Sequence, residues 1–148
     1  MKTTSTIALV LATATSALAA PTPTLKPLEL TGLNAGVYST SLPQTALFSF
    51  KVKDPNNNVE TACSSYWSIG MAGNKTYDCV DKDYKLHLPN GIYDVEKFDF
   101  GVSRADGSAS GRATLNGGSW ECKDLYVSPL EQCKWDGTFY LNVVPSSA

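Results

Sequence analysis

Along most of the chain, apolar side chains recur at every second position. Phe48, Phe50 and Val52 share one parity while Ser49, Lys51 and Lys53 share the other, the period-two signature of a half-buried strand. Asp54-Pro55-Asn56-Asn57-Asn58 follows with turn residues. The alternation returns in Tyr84, Leu86 and Leu88 against Lys85 and His87, and Pro89-Asn90-Gly91 then supplies what a tight hairpin needs for positive φ. It returns again in Phe98, Phe100 and Val102 against Lys97, Asp99 and Ser103, after which Asp106-Gly107 turns the chain back into Ser110–Leu115. Thr138–Val144 (TFYLNVV), β-branched and aromatic, makes a last strand. No window past the leader carries a 3.6-residue stripe. Short strands separated by turns predict one all-β domain, an antiparallel β-barrel or sandwich, over 45–144. Residues 20–44 read as an extended lead-in, Pro-rich at Pro21–Pro27, with a first strand, and 145–148 as a loose tail.

The first residues break this pattern. Met1 and Lys2 give a short positive start, and Ile7–Leu18 (IALVLATATSAL) is an apolar run of about a dozen residues. That is the length of a secretory signal peptide, short of the roughly 18–20 residues that span a bilayer. Ala17 and Ala19 fit the small-x-small cleavage pattern, which places the cut after Ala19 and predicts a secreted, extracellular protein without a membrane anchor. The 129 residues left of 148 suffice for one domain with its own core. They carry 11 basic and 14 acidic side chains with no run of like charge, which argues against nucleic acid or an anionic membrane as partner.

All four cysteines, Cys63, Cys79, Cys122 and Cys133, lie beyond the leader, and an even count in a small secreted domain reads as two disulfides. Each neighbouring pair brackets a stretch rich in Gly, Ser or Pro. Of the three possible pairings, the expected one therefore joins Cys63 to Cys79 and Cys122 to Cys133, each worth about 3 kcal/mol on the chain-entropy model. Spacings of 15 and 10 intervening residues do not match the close cysteine pairs of structural zinc. The segment CSSYWSIGMAGNKTYDC then reads as a disulfide-closed surface loop. Its Asn74-Lys75-Thr76 is the one N-x-[ST] triplet of the chain, a glycan acceptor in a eukaryotic source. Trp67 and Tyr77 have two readings here, as aromatics packed over the disulfide or as an exposed contact platform.

Candidate chemistry is sparse. The single histidine, His87, falls on the polar side of its strand and reads as a solvated surface imidazole, and no G-x-S-x-G elbow accompanies it. The 14 acids permit a nominated glycosidase pair, but none stands in a distinctive aromatic context. Asp78, Asp81 and Asp83 lack the Asp-x-Asp-x-Asp-Gly loop of a calcium site, and Lys82 and Lys85 crowd them. No catalytic residue, cofactor or metal is expected.

Several features together resemble one known family. They are the secretory start, the strand with Phe48 and Phe50, Thr61-Ala62-Cys63 shortly before Trp67, Cys79, then Gly111-Arg112-Ala113-Thr114-Leu115 ahead of Cys122, Cys133 and a closing strand. Over Thr45–Val144 the chain is similar to the Alternaria major allergen-like proteins. The resemblance implies a fungal secreted β-barrel with sequential disulfide pairing and a non-enzymatic role, as an effector or elicitor that binds host protein or cell-wall polysaccharide. Members that link two subunits do so through a further cysteine near the mature N terminus, which this chain lacks, so no covalent dimer is expected. Two other functions stay open. One is a carbohydrate-binding module stacking sugars on Trp67, Trp120 and Trp135. The other is a degenerate relative of small guanyl-specific ribonucleases, which use Glu, Arg and two histidines where this chain has one. Trp67, Tyr77, Trp120 and Trp135 are the candidate partner contacts.

Overall fold

The computed structural model describes residues 24–38 and 43–145, so the expected leader and its cleavage after Ala19, together with the tail after Pro145, lie outside the described residues. Eleven strands form within them: β1 (Leu28–Tyr38), β2 (Thr45–Asp54), β3 (Val59–Ser68), β4 (Lys75–Asp78), β5 (Tyr84–Leu88), β6 (Lys97–Arg104), β7 (Ala109–Asn116), β8 (Trp120–Asp124), β9 (Glu131–Trp135), β10 (Thr138–Leu141) and β11 (Val144–Pro145). They make two antiparallel sheets, ordered β3-β2-β1-β9-β8 and β11-β7-β6-β5-β4. β10 shares one side of β1 with β9, pairing with Leu28–Thr31 while β9 pairs with Asn34–Val37. Between them Gly32 takes a positive φ of 62° where β1 bulges against β2. The sheets stack as a sandwich and do not close, which settles the choice between barrel and sandwich. No helix among the described residues is long and apolar enough to cross a membrane.

Alternation decides what lies between the sheets. Phe48, Phe50 and Val52 from β2 meet Tyr84, Leu86 and Leu88 from β5 and Phe98, Phe100 and Val102 from β6, and all are buried. Phe48 sits at the centre, 4.9 Å from Phe98 and 5.3 Å from Phe100 in edge-on contacts, the arrangement the ring quadrupoles favour.

Three expectations change. First, the domain does not begin at Thr45: β1 is the central strand of its sheet and buries Leu28, Leu30, Leu33, Ala35 and Val37. Ahead of it, the Lys26 main chain is tied to Asn56 by hydrogen bonds of 2.8 and 2.9 Å. Second, the closing strand divides, β10 lying in one sheet and β11 in the other. Gly111 permits the switch, because a Cβ there would lie 2.4 Å from the Asn142 carbonyl oxygen.

Third, the segment between Cys63 and Cys79 is not a surface loop. It comprises the second half of β3, a turn and β4, and so carries the chain from an edge of one sheet to an edge of the other. The Cys63–Cys79 disulfide staples those edges. Along the same seam Val80 N–H donates to the Ala62 carbonyl and the Tyr77 hydroxyl to the Tyr66 carbonyl, both at 2.8 Å. Cys122–Cys133, by contrast, bridges directly opposed residues of β8 and β9 within one sheet. Both pairings are those the spacing predicts.

Candidate binding surface

The expected contact residues are placed unevenly, and the tryptophans require a correction. Trp67 is 2% exposed and Trp120 3%, so neither forms a platform, and of the two readings of Trp67 the packed one holds. The inward parity of β3 carries Trp67 under the sheet with Cys63 and Ser65, and its indole nitrogen still needs a partner once buried. It donates to the Met71 carbonyl at 3.1 Å, while the Trp120 indole donates to the Val95 carbonyl at 2.9 Å. Gly91, with φ of 74°, lies flat against the Trp67 ring, and a Cβ there would come within 2.3 Å of it. Lys75 covers the ring with its ammonium 5.2 Å from the centroid. Trp135 is half-buried against Phe139, 4.9 Å away, and Tyr77 is half-buried in the seam. Asn74 stands exposed in the turn before β4, accessible as a glycan acceptor must be.

These buried tryptophans hold the loops at one end of the sandwich. That end is formed by the turn after β3, the β5–β6 connection and the β8–β9 hairpin. It presents side chains that sequence reading passed over. Tyr126 is fully exposed and Val127 73% exposed at the hairpin tip, with Tyr93 54% exposed and Met71 in the neighbouring loops. The hairpin is anchored: Leu125 N–H donates to the Leu130 carbonyl, and Leu130 N–H to the Val37 carbonyl, both at 2.7 Å. Beside it a cleft of about 310 Å³ is lined by Tyr93, Asp94, Asp124, Leu130 and Glu131 among others. Burial pushes the Glu131 carboxyl above its ordinary range, and the Glu96, Asp94 and Asp124 carboxylates add to the rise.

At the opposite end, Asp54 is fully buried. Its Oδ1 accepts from Asn56 N–H and Nδ2 at 2.8 and 2.9 Å. Its Oδ2 accepts from the Tyr84 hydroxyl at 2.8 Å and from Arg104 Nε and Nη2 at 3.1 and 2.7 Å. With its amide oxygen turned toward the guanidinium, Asn57 accepts from the same two nitrogens at 3.1 Å. Burial alone pushes the Asp54 carboxyl up; the hydrogen bonds from Arg104, Tyr84 and Asn56 outweigh it and hold it below its ordinary value. Five donors leave this carboxylate no free lone pair to act as base or nucleophile, so the cluster is a structural lock.

His87 does lie on the outer, polar side of β5, but it is not free in solvent. Its Nδ1 is 2.9 Å from Thr76 Oγ1 and its Nε2 2.7 Å from Ser103 Oγ, because flanking strands bring a hydroxyl to each nitrogen. Burial, then the nearby Arg112 and Lys85 charges, pushes the imidazole below its ordinary value. A neutral ring held between two hydroxyls, with no carboxylate to orient it, is poorly set for acid–base work. Asp78, the first of the three aspartates, is occupied by Lys85 Nζ at 2.6 Å.

Of the loop end, the Asp54 cluster and the His87 site, only the loop end offers exposed apolar side chains on an anchored hairpin; Tyr66, Val80 and Tyr140 stand exposed elsewhere, on β3, the seam and β10. No family model, curated protein or solved structure matches the chain, so its functional reading rests on this geometry.

Proposed function

We propose that the protein is a secreted, non-enzymatic contact protein of effector or elicitor type, whose loop end docks on a host protein or cell-wall component. The observation that carries this reading is the hairpin tip: Tyr126 and Val127 stand exposed on a β8–β9 ladder closed by a cross-strand disulfide. Tyrosine on a preorganised support gives contact area at little ordering cost, which is how a small surface reaches useful affinity. Two disulfides in a domain of this size are typical of extracellular proteins, in keeping with secretion. A carbohydrate-binding reading keeps Tyr93 and Tyr126 as stacking rings but loses Trp67 and Trp120, which are buried.

The test is site-specific. A photo-crosslinking phenylalanine analogue replaces Tyr126 in one preparation and Glu60, exposed on β3 at the opposite end of the sandwich beside Asp54, in a second, and each is exposed to host extracellular fluid. A discrete crosslinked species is expected from position 126 alone. Equal crosslinking from both positions, or none, removes the loop end as contact surface. Tyr126→Ala should leave unfolding free energy within about 0.5 kcal/mol, since the ring touches solvent rather than core.

A further inference from the structure

The charge around the loop end indicates what chemistry docks there. Asp124 and Glu131 stand directly opposite each other in the β8–β9 ladder, an arrangement of like charges that destabilises an antiparallel pair. Asp94, from the β5–β6 connection, lines the same cleft as Asp124 and Glu131, and Glu96 beside it shares a hydrogen bond with the Glu131 carboxyl. Among the described residues none of the four forms an ion pair, and no lysine or arginine lines the cleft beside them. The lysines of the hairpin do not compensate: Lys123 and Lys134 line the depression on its other face. The fold thus keeps a group of acidic side chains next to its most exposed aromatic residue, Tyr126, and supplies no cation of its own there.

The spacing of these acids separates one class of cation from another. A calcium ion draws several oxygens to about 2.3–2.6 Å. Among the described residues, the one group of three ligand-type side chains within 4.8 Å is Cys122, Glu131 and Cys133. Its two sulfurs are bonded to each other and offer nothing to a metal. Carboxylates dispersed around aromatic rings suit positive charges carried on separate side chains, since guanidinium and ammonium groups also rest on tyrosine faces. A cationic amino-sugar polymer would answer the charge but leave the aliphatic tip at Val127 and the neighbouring Met71 without an apolar partner.

We infer that the loop end docks a cationic polypeptide segment, with an apolar side chain of the partner against Tyr93, Tyr126 and Val127 and its arginine or lysine groups on Asp94, Asp124 and Glu131. This rests on the reading of that end as the contact surface. It adds the chemistry of the partner.

The experiment uses the mature, disulfide-bonded chain and fluorescent synthetic peptides of equal length, one alternating arginine with leucine and one alternating glutamate with leucine, with chitosan oligomers as a third probe. The arginine–leucine peptide is expected to bind, more weakly as salt rises, and to shift backbone amide signals within Asp94–Glu96 and Asp124–Glu131. The double variant Asp124→Asn, Glu131→Gln should weaken it by about tenfold through loss of complementary charge. That variant keeps the shape and relieves repulsion, so its melting temperature should hold or rise, and weaker binding cannot be laid to misfolding. Equal binding of the glutamate–leucine peptide at the same amides overturns the cationic inference and leaves the contact surface standing. Binding of chitosan oligomers with the arginine–leucine peptide silent overturns the polypeptide class. Peptide binding that ignores the double variant, or shifts amides elsewhere, overturns the assigned site. Failure of the contact reading itself is seen separately, in the crosslinking from position 126.

Discussion

Arg104→Ala is expected to destabilise the protein by about 3–5 kcal/mol, the range for removing one partner of a buried ion pair. Asp54 is fully buried and the Arg104 side chain is 16% exposed, so the variant leaves a carboxylate with no cation and little water. The pH dependence should also change sign. In the native protein the Asp54 carboxyl is held below its ordinary value, so its contribution is present above the unfolded pKa of about 3.9 and is lost as pH falls through the folded value. Without Arg104, burial dominates and raises the carboxyl. The variant should then gain stability on acidification toward pH 4, where the native protein is near its plateau. Chemical unfolding across that range measures both effects. A loss below about 1 kcal/mol with no change in pH slope would mean that the pair behaves as a surface salt bridge.

Phe100→Ala should cost about 3–5 kcal/mol by a different route, a cavity at the centre of the sandwich. Phe100 contacts Phe48, Phe50 and Phe139 at centroid distances of 5.3, 5.7 and 6.0 Å, so the ring joins side chains of both sheets. Phe50→Ala, at the flank of the same cluster and 3% exposed, is expected in the same range but lower. The loss should be independent of pH, which distinguishes it from the Arg104 effect. Equilibrium unfolding with disulfides intact reads it directly; a value near 1 kcal/mol would show that neighbouring rings collapse into the gap.

Much of this core was legible because alternation is a local property. Phe48, Phe50 and Val52 declare their side of the sheet without reference to anything distant. The same parity, carried one step past the apolar run, reaches Asp54, and from Phe98, Phe100 and Val102 it reaches Arg104. Their burial was therefore open to a reader willing to place a charge inside, but a turn-forming context of Pro55 and three asparagines hid it. Trp67 stayed divided between core and platform, and the platform reading of Trp120 failed, for the opposite reason. A low-charge stretch between cysteines resembles a loop, and nothing local says that Trp67 is roofed by a second sheet whose Gly91 comes from the β5–β6 connection. The acid group at the loop end was invisible in principle. Asp94 and Glu96 belong to one sheet's connection and Asp124 and Glu131 to the other sheet's hairpin, and only topology brings them together.

The seam between the sheets also bears on how the fold resists edge-to-edge pairing between chains. A strand at a sheet margin displays unpaired amides and carbonyls, a template on which another chain can polymerise. Most margins here are short, at four residues for β4 and for β10, five for β8 and two for β11, which covers only the Ala109–Ser110 end of β7. The longest is β3, with ten. Its outward carbonyls at Ala62 and Tyr66 are already occupied by Val80 and Tyr77, and the Cys63–Cys79 bond holds the strand of the other sheet across it. The disulfide therefore does more than shorten the unfolded chain: it keeps a cap on the longest margin of the fold, the one best suited to template a second chain.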